Sequence, residues 1–90
     1  MRYAWDPVKA ARNRAKHGVT FEEAATVFRD SLSVTGLDPD HSTLEERWLT
    51  FGVSTAGRLL VVAHMEDGDT IRIISARPAT PGERKIYEEG

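Results

Sequence analysis

Three apolar runs at residues 47–53, 59–64 and 70–76, joined by hairpin-length connections, constrain this chain most. The first connection is Ser54-Thr55-Ala56-Gly57, and the second, residues 65–69, contains Asp67-Gly68. Runs of this length and composition read as strands, and short glycine-bearing links between them read as hairpins. The second half of the chain is therefore expected to form an antiparallel meander, which the remaining residues must cover.

Helix signals flank the meander. Tyr3-Ala4-Trp5 is β-compatible, and Asp6-Pro7 then supplies an N-cap and a proline at the first helical position. This helix is expected to reach about His17, with Gly18 as its stop. Its apolar residues Val8, Ala11 and Ala15 form a narrow stripe, and Lys9, Arg12 and Lys16 repeat that spacing about 100° around the axis. The basic stripe should thus rim whatever surface the helix packs on. Thr20-x-x-Glu23 opens a second helix with a capping box, and Phe21, Ala24, Val27 and Phe28 form its apolar face. That helix should end near Asp30. A strand is expected at residues 31–35, with Leu32 and Val34 on one side, followed by an acidic loop at 36–46 broken at Asp38-Pro39. Thr80-x-x-Glu83, with Pro81 in the first turn, starts a last helix carrying Ile86 and Tyr87. The order β-α-α-β-β-β-β-α gives one α+β domain over residues 1–90: an antiparallel meander with two N-terminal helices and a short C-terminal helix.

Composition excludes several chemistries. The 90 residues include no cysteine, so disulfides, thiolate metal sites and cysteine nucleophiles are ruled out. The three histidines lack ligand spacing, and His41 reads as a solvated loop residue, so no metal or other cofactor is expected. Phosphate-binding glycine loops and serine-nucleophile motifs are absent. No apolar run approaches the ~20 residues that span a bilayer, and the N-terminus lacks a hydrophobic signal segment, so a soluble, cytoplasmic protein is expected. Trp5 and Trp48 read as core or interface residues.

The net charge is −2, but it is segregated. Residues 1–29 carry six basic and three acidic side chains, whereas residues 30–46 carry five acidic and no Lys or Arg. Such a chain can present a basic face despite an acidic total. Hairpin register extends this. With Val53 opposite Arg58, Arg47 faces His64; with His64 opposite Thr70, Val62 faces Arg72. Arg47, His64 and Arg72 would then share one face, and Ser75 and Arg77 would lie at the far end of the other. Two arginines and a histidine there can bind phosphate and move a proton, or the arginines can pair with carboxylates of the 38–46 loop. Both readings stand.

Arg77 closes the last strand before Pro78, beside the helix start at Thr80. Its planar fork matches phosphate geometry, and the plain alternative is a surface pair with Glu83. His17 can satisfy the last carbonyls of its helix, or join Lys16 as a titratable group beside the basic stripe.

Taken in order, these segments resemble the BrnT family of type II toxin–antitoxin toxins. The matching pieces are Trp5-Asp6-Pro7 with Lys9 and Asn13, KHGVTFEEA from Lys16, and Phe28 to Asp30. Glu45-Glu46-Arg47, Gly52, Gly57-Arg58 with LLVVAH, IRIISARPAT, Glu83-Arg84 and Tyr87 complete the pattern. The resemblance spans nearly the whole chain. It implies a RelE-like fold and metal-independent endoribonuclease activity that inhibits translation. It also implies a BrnA-like antitoxin, encoded nearby, with a ribbon-helix-helix part, so that promoter DNA is bound only through the complex.

On this reading Arg77 and Arg72 neutralise the charge developing on the phosphate, while His17 or Tyr87 transfers protons. Lys16, Arg47, Arg12 and Lys9 hold the RNA backbone. The alternatives are a non-catalytic protein-binding module of a DNA-binding regulatory complex and a small phosphoester hydrolase.

Overall fold

The computed structural model describes residues 1–40 and 46–90; His41 and Glu45, considered above, lie outside the described residues. Strand β1 spans Arg2–Ala4, helix α1 Pro7–His17 and helix α2 Phe21–Thr26, and a single 3₁₀ turn follows at Val27–Arg29. Strands β2 (Val34–Leu37), β3 (Trp48–Val53), β4 (Leu59–Asp67) and β5 (Thr70–Pro78) precede helix α3 (Pro81–Glu89). The sheet order is β1-β5-β4-β3-β2. The meander is antiparallel as expected, and β1 adds a parallel edge on β5, with Arg2 opposite Thr70.

The capping residues act as their sequence implies. The Asp6 side chain accepts from the Val8 N–H at 2.8 Å, and Gly18 ends α1 at φ 68°, a conformation that a side chain would strain. Thr80 and Glu83 form a complete capping box. The box at Thr20 is half made: Thr20 Oγ1 accepts from the Glu23 N–H, but the Glu23 carboxylate goes to Arg58 and Ser54.

Phe51, Leu59, Val61 and Ala63 are buried on one face of the sheet, and the main core lies between its other face and α1 and α2. Val19, Phe21, Ala24 and Val27 meet Leu60, Val62, Ile71, Ile73 and Ala76 there. Trp5 packs edge-on against Phe21, as expected of a core tryptophan. Gly52 is held to glycine by close approach, since an added Cβ would stand 2.7 Å from Val27 Cγ1.

Four sequence expectations fail. The buried line of α1 runs through Ala10, Asn13 and His17, while Val8, Ala11 and Ala15 are exposed. The helix is anchored by a polar residue, because β1 covers β5 only as far as Arg72 and the edge beyond needs partners. Asn13 supplies them at Ala76. Its amide donates to Ala76 O at 2.8 Å and to Val19 O at 3.0 Å, and its Oδ1 accepts from Ala76 N at 3.0 Å. Lys9, Arg12 and Lys16 still border the buried line, from its other side.

The strand expected at 31–35 begins instead at Val34. Asp30 turns the chain first: its backbone oxygen accepts from Ser33 N, and its carboxylate from Leu32 N and Val53 N. Leu32 is left 70% exposed.

The remaining two failures are in register. Val53 pairs with Leu59, and Trp48, not Arg47, faces His64. On the other side Asp67 pairs with Thr70, because Gly68 at φ 59° allows a two-residue turn and lengthens both strands. His64 consequently faces the helices and is completely buried, so it cannot form a surface phosphate site with Arg47 and Arg72. Its Nε2 lies 2.7 Å from Thr50 Oγ1, and Thr50 continues to Thr35 at 2.8 Å. Its ring stands edge-on to Phe28, and burial pushes its pKa down to about 4.

Candidate nucleic-acid interface

A bulge in β5 organises the sheet face turned away from α2. His64 pairs with Ile73 and Ala63 with Ser75, leaving Ile74 as the extra residue. In a regular strand, residues five apart point to opposite faces. The bulge reverses the alternation, so Arg72, Ser75 and Arg77 share one face, opposite Met65, Ala63 and Val61 respectively.

Beside the bulge, α1 and β5 enclose a shallow cleft of about 210 Å³. Lys9, Arg12, Lys16 and His17 line it from the helix, Ile74 and Ser75 from the strand, and Asn13 closes it beneath. Four of the eight sequence-predicted site residues are thus brought together. Among the described residues, the side chains of Lys9, Arg12, Lys16, His17 and Ser75 have no intramolecular hydrogen bond or ion pair. Three unpaired cations beside an imidazole and a hydroxyl can hold a phosphodiester backbone and exchange a proton with it.

The other four predicted residues lie outside the cleft. Arg72 is exposed on the same face of β5, three residues before Ser75. Arg77 lies two residues beyond Ser75, and its fork is occupied: Nη1 and Nη2 donate to the Glu83 carboxylate at 2.6 and 2.7 Å. That pairing, helped by the Thr80 N–H, holds Glu83 down at about 2. Arg72 and Arg77 are five residues apart, about 15 Å of strand, so they flank the cleft rather than converge on one atom. Arg47 precedes β3, and its carbonyl accepts from Asp38 N. Tyr87 lines a different cleft with Leu32 and Val34, and donates its hydroxyl proton to Asp30 Oδ2 at 2.7 Å. This bond raises the phenol's pKa, because it would be lost on ionisation.

Sequence reasoning gave no site role to Ser75 or Asn13. Ser75 is re-aimed by the bulge, which no periodicity announces. Asn13 sits among cations in a helix and reads as solvated, although its polar side chain on the line of Ala10 and His17 marks it. Among the described residues, no group of three or more His, Cys, Asp or Glu is placed to hold a metal ion. No helix there is long and apolar enough to cross a membrane.

Fold and cleft together define a small α+β protein that presents unpaired positive charge beside a bulged strand. The profile of the family described as "Ribonuclease toxin, BrnT, of type II toxin-antitoxin system" matches residues 5–83, and the chain belongs to that family. The fold is similar to that of the Brucella abortus ribonuclease toxin BrnT, solved at 1.1 Å, with a TM-score of 0.65 and 23% identity. That similarity covers 89% of this chain and 97% of the Brucella chain. No curated protein sequence matches significantly.

Proposed function

We propose that this protein is a metal-independent endoribonuclease that acts in the cytoplasm to inhibit translation. We further propose that it is neutralised by a BrnA-like ribbon-helix-helix antitoxin, and that it meets promoter DNA only through that complex. One observation carries the RNA-cleaving part: Lys9, Arg12, Lys16 and His17 converge, unpaired, on one cleft. Family membership supplies the ribonuclease class.

In the proposed reaction the three cations seat the RNA backbone along α1. The ribose 2′-oxygen attacks the adjacent phosphorus, forming a P–O bond as the bond to the 5′-oxygen breaks. His17 takes the 2′-hydroxyl proton, and a protonated group returns one to the departing 5′-oxygen. The ends are a 2′,3′-cyclic phosphate and a 5′-hydroxyl, with no further reactant. Arg72 and Arg77, toward opposite ends of the cleft, offset the negative charge of the bound backbone as it develops. Arg72 carries the larger share, because the Glu83 carboxylate already balances Arg77.

The test is purified protein incubated with single-stranded RNA in excess chelator, with and without the antitoxin. Cleavage to cyclic-phosphate ends, suppressed by the antitoxin, is expected. Intact RNA at verified binding would favour the protein-docking reading. Hydrolysis of free nucleotides alone would favour a phosphoester hydrolase.

A further inference from the structure

The cleft pairs its cations with one neutral hydrogen-bonding group from the sheet, the Ser75 hydroxyl. Cations on α1 recognise phosphate, and phosphate is common to RNA and DNA. A group that both donates and accepts, lining the same cleft as those cations, can distinguish the two nucleic acids through the 2′-hydroxyl. Ser75 meets these conditions. It is half-buried at the cleft wall, so its hydroxyl is fixed in place yet reachable. Its side chain has no internal hydrogen bond among the described residues, so its capacity is unspent. The bulge at Ile74 turns it to the face it shares with Arg72 and Arg77, and Asn13 locks the next residue, Ala76, to α1 by both its backbone N–H and C=O. Ile74 lies beside it and offers an apolar surface to the sugar ring.

We infer that Ser75 is the sugar-reading residue of the cleft, hydrogen-bonding a ribose 2′-hydroxyl of the strand seated on Lys9, Arg12 and Lys16. The inference rests on the proposed RNA-binding role of the cleft and adds a specificity determinant to it.

The test measures binding of a labelled single-stranded RNA and a DNA of the same sequence (U replaced by T). All proteins carry His17→Ala so that the RNA stays intact, checked on a denaturing gel. The parent should bind RNA more tightly than DNA. Adding Ser75→Ala should weaken RNA binding about 5-fold, the loss expected for one hydrogen bond, and leave DNA binding unchanged. Ser75→Thr, which keeps the hydroxyl, should retain the RNA preference, and this control separates recognition from damage to β5. Equal losses for RNA and DNA, or no loss for either, would overturn the assignment of Ser75. A Lys9→Ala/Arg12→Ala/Lys16→Ala protein should lose affinity for both nucleic acids. If it binds both as the parent does, the cleft reading fails and the Ser75 assignment falls with it.

Discussion

The two sides of this molecule use charge in opposite ways. On the side of α3 and the β3–β4 hairpin, Arg58, Arg77 and Tyr87 are committed to partners. Arg58 Nε donates to Glu23 at 2.9 Å, Arg77 grips Glu83 with both ends of its fork, and Tyr87 is bound to Asp30. On the side of α1 and the β5 bulge, Lys9, Arg12, Lys16 and His17 line a cleft with no internal partner among the described residues. Unpaired surface cations are ordinary, but several of them converging on one concavity have an unusual cost. Their mutual repulsion disfavours the fold slightly unless an anion arrives. The committed groups hold elements together, and the uncommitted ones are available to a ligand. The lesson is that an arginine's value to catalysis cannot be read from its place at a strand end. It depends on whether a carboxylate already occupies it.

The sharpest way to break this division is His17→Ala. If His17 moves the proton, cleavage should fall by roughly 10²–10⁴-fold while the thermal midpoint stays within a degree or two. A variant that is stable and fully active would remove His17 from the chemistry. His64 is the contrasting histidine. Its folded pKa of about 4 lies below the ordinary histidine value of 6.5, so its contribution to stability is complete above pH 6.5 and is lost as pH falls toward 4. The loss should be on the order of 3 kcal/mol over that window. Midpoints measured across it should show that slope in the parent and a much flatter one in His64→Gln. An equal slope in both would contradict the buried, neutral assignment.

Asn13 lines the cleft yet belongs with the committed groups. Asn13→Ala removes its bonds to both the N–H and the C=O of Ala76 and should cost about 2 kcal/mol in chemical denaturation. A neutral result would mean that α1 is held mainly by apolar packing. The smallest effect is expected at Arg77→Ala. The Arg77–Glu83 pair is partly exposed, so the loss should be about 1 kcal/mol or less. Cleavage should fall less than tenfold, and less than in Arg72→Ala, which should lose about 100-fold. A 100-fold loss in Arg77→Ala at an unchanged midpoint would make Arg77 the principal charge donor instead.

How far the sequence could reveal this follows from the kind of signal each feature leaves. Helix ends were readable because Asp6, Thr20 and Thr80 act through residues two or three positions away, within reach of local pattern. The three long strands were readable from their apolar runs. Register was not, because it depends on whether Gly68 makes a two-residue turn and on a bulge that composition does not encode. Those features moved His64 into the core and brought Arg72 and Arg77 to one face. The basic stripe of α1 was readable as a rim even though the buried line beside it was misplaced. Its three cations step around the helix together, so the error in the apolar line changed which side it borders but left it a rim. The Arg77–Glu83 pair was among the sequence's alternatives, whereas the Tyr87–Asp30 bond was invisible for a different reason. Asp30 was one of several plausible surface carboxylates, and only tertiary packing brings it to Tyr87, 57 residues away in the chain.

The central claim is that the unpaired cations of α1, and not the paired ones elsewhere, meet the RNA backbone. The salt dependence of RNA binding tests it most directly, because each phosphate contact on a single strand contributes about 0.7 to the slope of log K against log salt. Neutralising Lys9, Arg12 and Lys16 together should lower that slope by about 2, whereas Arg58→Gln should leave it unchanged. An unchanged slope in the triple variant, or a comparable drop in Arg58→Gln, would contradict the account.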